Sequence, residues 1–277
     1  LERLSLYKVD LHSHSTASDG SLTPKELVEL AYSSGIKHFS LTDHDTVNGI
    51  SEASKRAKEL GVNFIPGIEI TADTSFLGKR KRQFHVLGYY FNPTSPSIKE
   101  LTSFFRSSRI KRNKELLSKL YSLGYPITYE EMVEKHGENF GKPNIAKRLI
   151  DLGYFKDREE AIDFLSSLGV KREKMDYREV FSLIREAGGI PVVAHPSTLE
   201  LNLRELYCFL KSAKENGLMG VEVYHYRHTC SFSLELREVC KELSLYYTSG
   251  SDFHGSNKPC ISLGFLNTKR EDVNFPL

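Results

Sequence analysis

Two histidines separated by one residue, His12 and His14 in Asp-Leu-His-Ser-His, stand at the end of a short apolar run. Residues i and i+2 of a strand share a face, so both imidazoles can leave one strand end in the same direction and grip one metal ion. The chain repeats the arrangement: Asp43-His44, Glu69, His85, His195 and Asp252-Phe253-His254 each lie at the edge of another short apolar run. Any one of them alone reads as a core or capping residue. Gathered at one rim they would be costly to bury unless paired or bound to metal, so the recurrence predicts a shared metal site. Nitrogen and carboxylate ligands suit Zn, Mn or Fe and do not discriminate among them. Asp43 reads either as a strand-end cap or as a carboxylate that orients a liganding histidine.

Basic residues offer a second chemistry. Arg106, Arg109 and Arg112 recur every three residues, flanked by Lys111 and Lys114. They read as a solvated helix face or as a clamp for phosphate oxygens, which guanidinium forks suit. Lys79-Arg80-Lys81-Arg82 is a basic run between Glu69 and His85. It reads as a solvated loop, or as a contact for further phosphates if it lies beside the metals. No aromatic platform accompanies it.

The elements that must position these groups alternate. Strand-like runs cover Tyr7–His12, His38–Asp43, Phe64–Ile70, Phe84–Tyr90, Ile190–Ala194, Val221–Tyr224 and Leu245–Ser249, with amphipathic stretches between most of them. Thr23-Pro24-Lys25-Glu26 is a helix start, with Thr23 as N-cap, and Thr46 to Leu60 repeats the helical pattern up to Gly61. Such alternation predicts parallel strands with helical crossovers closed into an α/β barrel. In a parallel barrel the C-terminal strand ends carry the chemistry, and His12, His14, Asp43, His44, Glu69, His195 and Asp252 all fall there. His85 instead begins its strand. The connection Thr71 to Gln83 is short for a crossover, so a hairpin-like return is expected to bring Glu69 and His85 to one rim and distort the barrel.

From Ser97 to Met175 the pattern is helical only: Ile98–Leu123, Thr128–His136, Asn144–Leu152 and Arg158–Leu168. Residues 1–97 and 176–277 are therefore expected to form the barrel, and residues 98–175 a helical insertion. The 277 residues are 39% apolar and 27% charged with a net charge of +2. These values describe a soluble globular protein and carry no polyanion-binding signal for the chain as a whole. No apolar run approaches the roughly 18–20 residues of a membrane helix. The 4 cysteines form no Cys-x-x-Cys pair, which points to reduced thiols and a cytoplasmic setting.

The successive motifs His12-Ser-His14, Thr42-Asp43-His44-Asp45, Gly67-Ile68-Glu69, Phe84-His85, Ala194-His195-Pro196 and Ser251-Asp252-Phe253-His254 resemble those of the polymerase-and-histidinol-phosphatase (PHP) superfamily. The resemblance implies a distorted seven-stranded TIM-like (β/α) barrel with up to three divalent metals. It implies His12, His14, Glu69 and Asp252 as ligands of one ion, and Glu69, His85 and His195 as ligands of a second, with Glu69 bridging. Asp19, His44 and His254 would hold a third, and Asp19 and His195 are carried over as catalytic. Three divalent ions bring about +6 against −3 from Asp19, Glu69 and Asp252, a surplus that attracts phosphate and stabilises its transition state. Water between two cations deprotonates more easily, giving a bridging hydroxide that attacks phosphorus in line.

Gly141-Lys142-Pro143-Asn144 resembles a substrate motif of the stand-alone nucleotide-phosphatase branch, although Asn144 replaces the usual histidine; Asn144 could instead cap the following helix. His228 resembles a family position near the metal rim, with His225 as the nearby competitor. Arg109, Arg112, Lys142 and His228 are thus the expected substrate-binding residues. The expected activity is hydrolysis of phosphate mono- or diesters of nucleotides, either as a nucleoside mono- or bisphosphate phosphatase or as a 5′-to-3′ exonuclease on short RNA. The substrate is a small phosphorylated molecule, with no membrane and no obligatory protein partner. The alternatives are histidinol-phosphate phosphatase, an amidohydrolase and a non-catalytic PHP module. Thr-Asp-His-Asp, Glu69 and the late Asp-x-His argue against the amidohydrolase, and a complete set of candidate ligands argues against the inert module.

Overall fold

The computed structural model describes residues 7–78, 83–138 and 140–277; the basic run Lys79–Arg82 lies outside them. The chain divides into two compact units, Leu1–Thr102 with Met175–Leu277, and Ser103–Lys174.

The first unit is an α/β barrel. Seven strands, β1 (Lys8–Asp10), β2 (Ile36–Leu41), β3 (Asn63–Ala72), β4 (Phe84–Tyr89), β5 (Ile190–Val193), β6 (Gly220–Tyr224) and β7 (Tyr246–Ser249), lie in chain order in one sheet. Pairing is parallel except on both sides of β4, which runs against β3 and β5. Backbone bonds close the ring just past the strands: Leu11 N–H donates to Ser249 O, Asp252 N–H to His12 O and His14 N–H to Phe253 O. Gly250 sits at this closure because a Cβ there would stand 2.1 Å from His12 Cβ and 2.7 Å from Glu222 Oε1.

Local chemistry explains the elements. Thr23 caps α1 (Pro24–Ser33) with the reciprocal Glu26 bond of a capping box and proline in the first turn. Helix α2 (Ile50–Leu60) begins later than the Thr46 start expected from sequence, because Thr46 turns its hydroxyl to the Asn48 N–H in a local turn. Leu27, Val28 and Ala31 of α1 and Ala53 and Ala57 of α2 bury against Phe39 and Leu41 of β2. A second cluster joins Leu11, Ile65, Leu87, Tyr89 and Val192 to Val273 and Phe275 near the C-terminus.

The second unit is helical. Helix α3 (Pro96–Ser122) carries the boundary between units, followed by α4 (Tyr129–His136), α5 (Lys142–Asp151) and α6 (Arg158–Ser167). Its core packs Leu116, Leu120, Ile127, Phe140, Leu149 and Leu165 together. Helix α5 starts at Lys142, ahead of the expected Asn144. Gly141 is the N-cap, and Asn144 reaches back from the first turn to accept the Gly141 N–H at 2.9 Å. Helices α7 (Tyr177–Glu186), α8 (Leu203–Glu215) and α9 (Cys230–Glu242) belong to the barrel unit.

Candidate metal centre

Every strand end on one side of the barrel delivers a chemical group. Strand β1 ends at Asp10, but backbone pairing with the segment after β7 continues to His14. Ser13, between the histidines, points the other way: its hydroxyl donates to Ser40 O at 2.8 Å, and its N–H reaches Thr42 Oγ1 at 3.2 Å. His12 and His14 are thereby left on the opposite face, both fully buried. The β3–β4 hairpin register pairs Thr71 with His85 and Glu69 with Leu87, which brings His85 back beside Glu69. Three positions at the site, Asp45, His195 and Asp252, hold positive φ values of 59°, 25° and 55°. Such backbone costs about 1–3 kcal/mol for a residue with a side chain, and strain of this kind gathers at functional sites.

Glu69 is the hub. Its Oε1 lies 2.7 Å from His85 Nδ1 and 3.0 Å from His195 Nε2. Its Oε2 lies 3.3 Å from His12 Nε2, 3.2 Å from His14 Nε2 and 3.2 Å from His44 Nδ1. Asp252 Oδ1 faces His12 Nε2 at 3.6 Å and His14 Nε2 at 3.3 Å. His254 gives its Nδ1–H to Asp252 O at 2.8 Å, which turns Nε2 towards Asp19 Oδ1 at 3.3 Å. Ligand atoms meet in overlapping sets: His12, His14, Glu69 and Asp252; His44, Glu69 and His85; and His14, Asp19, His44 and His254.

These residues fit divalent metal. His12 Nε2, both ring nitrogens of His14, His44 Nδ1 and Glu69 Oε2 are buried without a hydrogen-bond partner among the described residues. Buried polar atoms are rarely left so. Ligands of one tetrahedral ion at about 2.0–2.1 Å stand about 3.3 Å apart, close to the spacing around Glu69 Oε2. The electrostatics agree. Burial opposes charge at Glu69 and Asp252, yet the surrounding imidazoles hold both carboxyls well below the usual range. Burial likewise opposes charge on His14, but Asp252, Glu69 and Asp19 raise it to about 9. His44, where burial prevails, falls to about 3. His44, His85 and Asp19 keep some exposure, so the site opens on their side.

Other expected residues are placed differently. Asp43 orients no histidine; it accepts from Ser15 N–H at 2.8 Å and from the Ser15 and Ser18 hydroxyls at 2.7 and 2.6 Å, pinning the turn after His14. His225, rather than His228, reaches the ligands, with Nε2 3.6 Å from Asp252 Oδ2. His228 donates Nδ1–H to Val223 O at 2.8 Å and stands behind the His225 ring at 5.4 Å; burial lowers it to about 4. Arg109, Arg112 and Lys142 lie in the helical unit. There Arg112 is buried with its Nε unpartnered among the described residues, and burial together with Arg172 and Arg109 lowers it to about 10. Lys142 is lowered by burial and by Arg112. Arg106, by contrast, is exposed and pairs with Glu138, and Lys114 lies over the Tyr129 ring.

Two residues of the rim lack any motif signal. Lys258 donates to Asp252 Oδ2 at 2.7 Å. Glu222 is buried on β6 beside His12 and His195.

Comparison with known proteins places this geometry in context. The PHP domain model matches residues 10–273. A 5′-3′ exoribonuclease of Haemophilus influenzae is 34% identical over 263 residues, covering 93% of each chain. A phosphoribosyl 1,2-cyclic phosphate 1,2-diphosphodiesterase of Eggerthella lenta is 29% identical and covers 92% of this chain and 97% of its own. A Bifidobacterium adolescentis structure assigned as a metal-dependent phosphoesterase superposes with a TM-score of 0.81 at 29% identity, covering 96% and 94% of the two chains.

Proposed function

The chain belongs to the PHP domain family, and from that premise we propose that it is a metal-dependent phosphoesterase that hydrolyses phosphate esters of nucleotides, with short 5′-phosphorylated RNA as its substrate class. The observation that carries the reading is the divided carboxylate of Glu69, with orphaned, buried imidazole nitrogens on one oxygen and His85 and His195 on the other. The choice of RNA follows the exoribonuclease relative, which matches along 93% of both chains.

In this reading His12, His14, Glu69 and Asp252 hold one ion, Glu69, His85 and His195 a second, and Asp19, His44 and His254 a third, the ions being manganese, zinc or iron. Bound there, divalent ions supply Lewis acidity to a phosphoryl oxygen and lower the pKa of water. The chain's own part is to align the ligands and to fix which ring nitrogen each presents. His254 keeps its proton on Nδ1 through Asp252 O, so Nε2 is the nitrogen turned to Asp19. His225 accepts the Arg227 N–H on Nδ1 at 3.2 Å, so its proton sits on Nε2, facing Asp252 Oδ2 with Lys258 beside it. This donor pair steadies the Asp252 carboxylate among the ligands. In the helical unit, Arg109, Arg112, Lys142 and Arg172 are the proposed phosphate-binding cations: Arg112 is buried with its Nε unpartnered among the described residues, lowered first by burial and then by Arg172 and Arg109, and guanidinium forks suit phosphate oxygens. Four free thiols support a reducing cytoplasmic setting.

The test is a panel of 5′-phosphorylated oligoribonucleotides, nucleoside 3′,5′-bisphosphates, mononucleotides and histidinol phosphate, each with Mn, Zn or Fe. Release of mononucleotides from the RNA 5′ end is expected, abolished in His12→Ala and Asp252→Ala. Preference for histidinol phosphate would overturn the substrate class, and no hydrolysis with any metal would overturn the activity.

A further inference from the structure

We propose that Glu222 is the positioning residue of the metal centre, with one carboxylate that selects which nitrogen of His12 faces the ions and anchors the backbone of His195. This assignment rests on the metal-centre reading above. Glu222 is fully buried on β6. His12 Nδ1–H donates to its Oε1 at 2.9 Å, and the His195 backbone N–H donates to its Oε2 at 2.8 Å. A carboxylate only accepts, so the proton on Nδ1 stays with Glu222. His12 Nε2 is then the nitrogen presented to Glu69 and Asp252, at 3.3 and 3.6 Å.

The second bond acts on a strained residue. His195 sits at φ 25° and ψ 61°, and its Nε2 reaches Glu69 Oε1 at 3.0 Å. Without an acceptor for its N–H the backbone has one reason fewer to hold that conformation. Glu222 thus sets two ligands that arrive from β1 and β5. His12, Glu222 and His225 stand close enough to hold an ion themselves. Yet both Glu222 oxygens already receive N–H donors, and His225 Nδ1 receives the Arg227 N–H. The trio is support for the ligands and not a further ion site.

Glu222→Gln separates this role from simple filling of space. The amide has the same shape but only one acceptor oxygen. If that oxygen stays on His12, the NH2 meets the His195 N–H donor to donor. If it turns to His195, the NH2 meets His12 Nδ1 and favours a proton on Nε2, where it blocks ligation. The experiment uses the full chain stripped of metal and titrated with Zn²⁺ by calorimetry, with nitrogen-detected NMR of histidine tautomers in the Zn²⁺-loaded form. Wild type is expected to take up Zn²⁺ with His12 protonated at Nδ1. Glu222→Gln is expected to bind about 10–100-fold more weakly, as loss of a partner behind a liganding histidine does elsewhere, or to lose the His12 Nδ1–H signal. Equal stoichiometry, affinity within twofold and an unchanged His12 signal would overturn the role of Glu222. Failure of wild type to bind Zn²⁺ would instead overturn the metal-centre reading on which it rests. Should Glu222→Gln not fold, Glu222→Asp, which keeps two acceptors but withdraws them by one methylene, carries the same readouts.

Discussion

His85 Nδ1 meets Glu69 Oε1 at 2.7 Å because β4 turns back along β3, placing a residue from the start of one strand beside a residue near the end of another. Glu69 can therefore serve two groups of imidazoles at once. Glu69→Gln removes the charge that both groups share. Bound metal should fall below the wild-type number and kcat by at least about 10³-fold, the scale of losing a major electrostatic contribution. Metal analysis and steady-state kinetics check this, and full metal content with normal kcat would remove Glu69 from the hub.

The site's charges make metal uptake depend on pH. In the metal-free protein, burial lowers His14, but Asp252, Glu69 and Asp19 raise it to about 9, above an unfolded value of 6.5. A raised imidazole stabilises the fold fully below its unfolded pKa and loses that contribution as pH climbs towards 9. Ions, conversely, bind better once the proton has gone. The melting temperature of metal-free protein should fall between pH 6.5 and 8.5, while the increment on adding Mn²⁺ grows. Thermal shift with and without Mn²⁺ measures both, and an increment that shrinks with rising pH would contradict the assignment of His14.

Gly250 is held by space rather than by backbone conformation. An alanine Cβ would stand 2.1 Å from His12 Cβ and 2.7 Å from Glu222 Oε1. Gly250→Ala should cost about 1–3 kcal/mol, as overpacking does, and lower metal affinity together with stability. Denaturant melts and metal titration check it; wild-type behaviour in both would mean that the strand ends separate freely.

Arg112 carries opposite expectations for stability and activity. It is buried beside Arg172 and Arg109, with Nε unpartnered among the described residues. Arg112→Met keeps the bulk and removes the charge, so the melting temperature should rise by a few degrees, corresponding to about 1 kcal/mol. If these cations bind substrate phosphate, KM for 5′-phosphorylated RNA should rise about tenfold with kcat little changed. A stabilised variant with unaltered KM would confine the cluster to the architecture of the helical unit.

The barrel was legible because buried strands leave short apolar runs, and all seven appear within a few residues of their positions. The Glu69–His85 return was legible from the length of its connection. Glu222 was not. Within Gly-Val-Glu-Val-Tyr it has the appearance of an ordinary alternating strand residue, and the imidazole that explains it lies 210 positions earlier. Lys258 hides for the same reason, since its meaning comes from Asp252; His225 was in view as the competitor of His228, and only its place beside Asp252 decides between them. Asp43 shows the reverse case, with two readings left open by sequence, a strand-end cap or a carboxylate orienting a histidine. Its place beside His44 allowed either, and the bonds from Ser15 and Ser18 to its oxygens make it a cap on the turn after His14.

The barrel is written in two instalments, with residues 103–174 between them. During synthesis, His12, His14, His44, Glu69 and His85 emerge well before Glu222 and Asp252. In the proposed metal-centre reading these residues are only part of the ligand set, and His12 lacks the Glu222 acceptor until β6 is made. Closure of β1 against the segment after β7 completes ring and ligand set in one event, joined by contacts such as Ser251 to Asp10 across 241 positions. In the proposed metal-centre reading, a chain cut short of the segment after β7 would therefore lack both the ring closure and two of its ligands, Asp252 and His254.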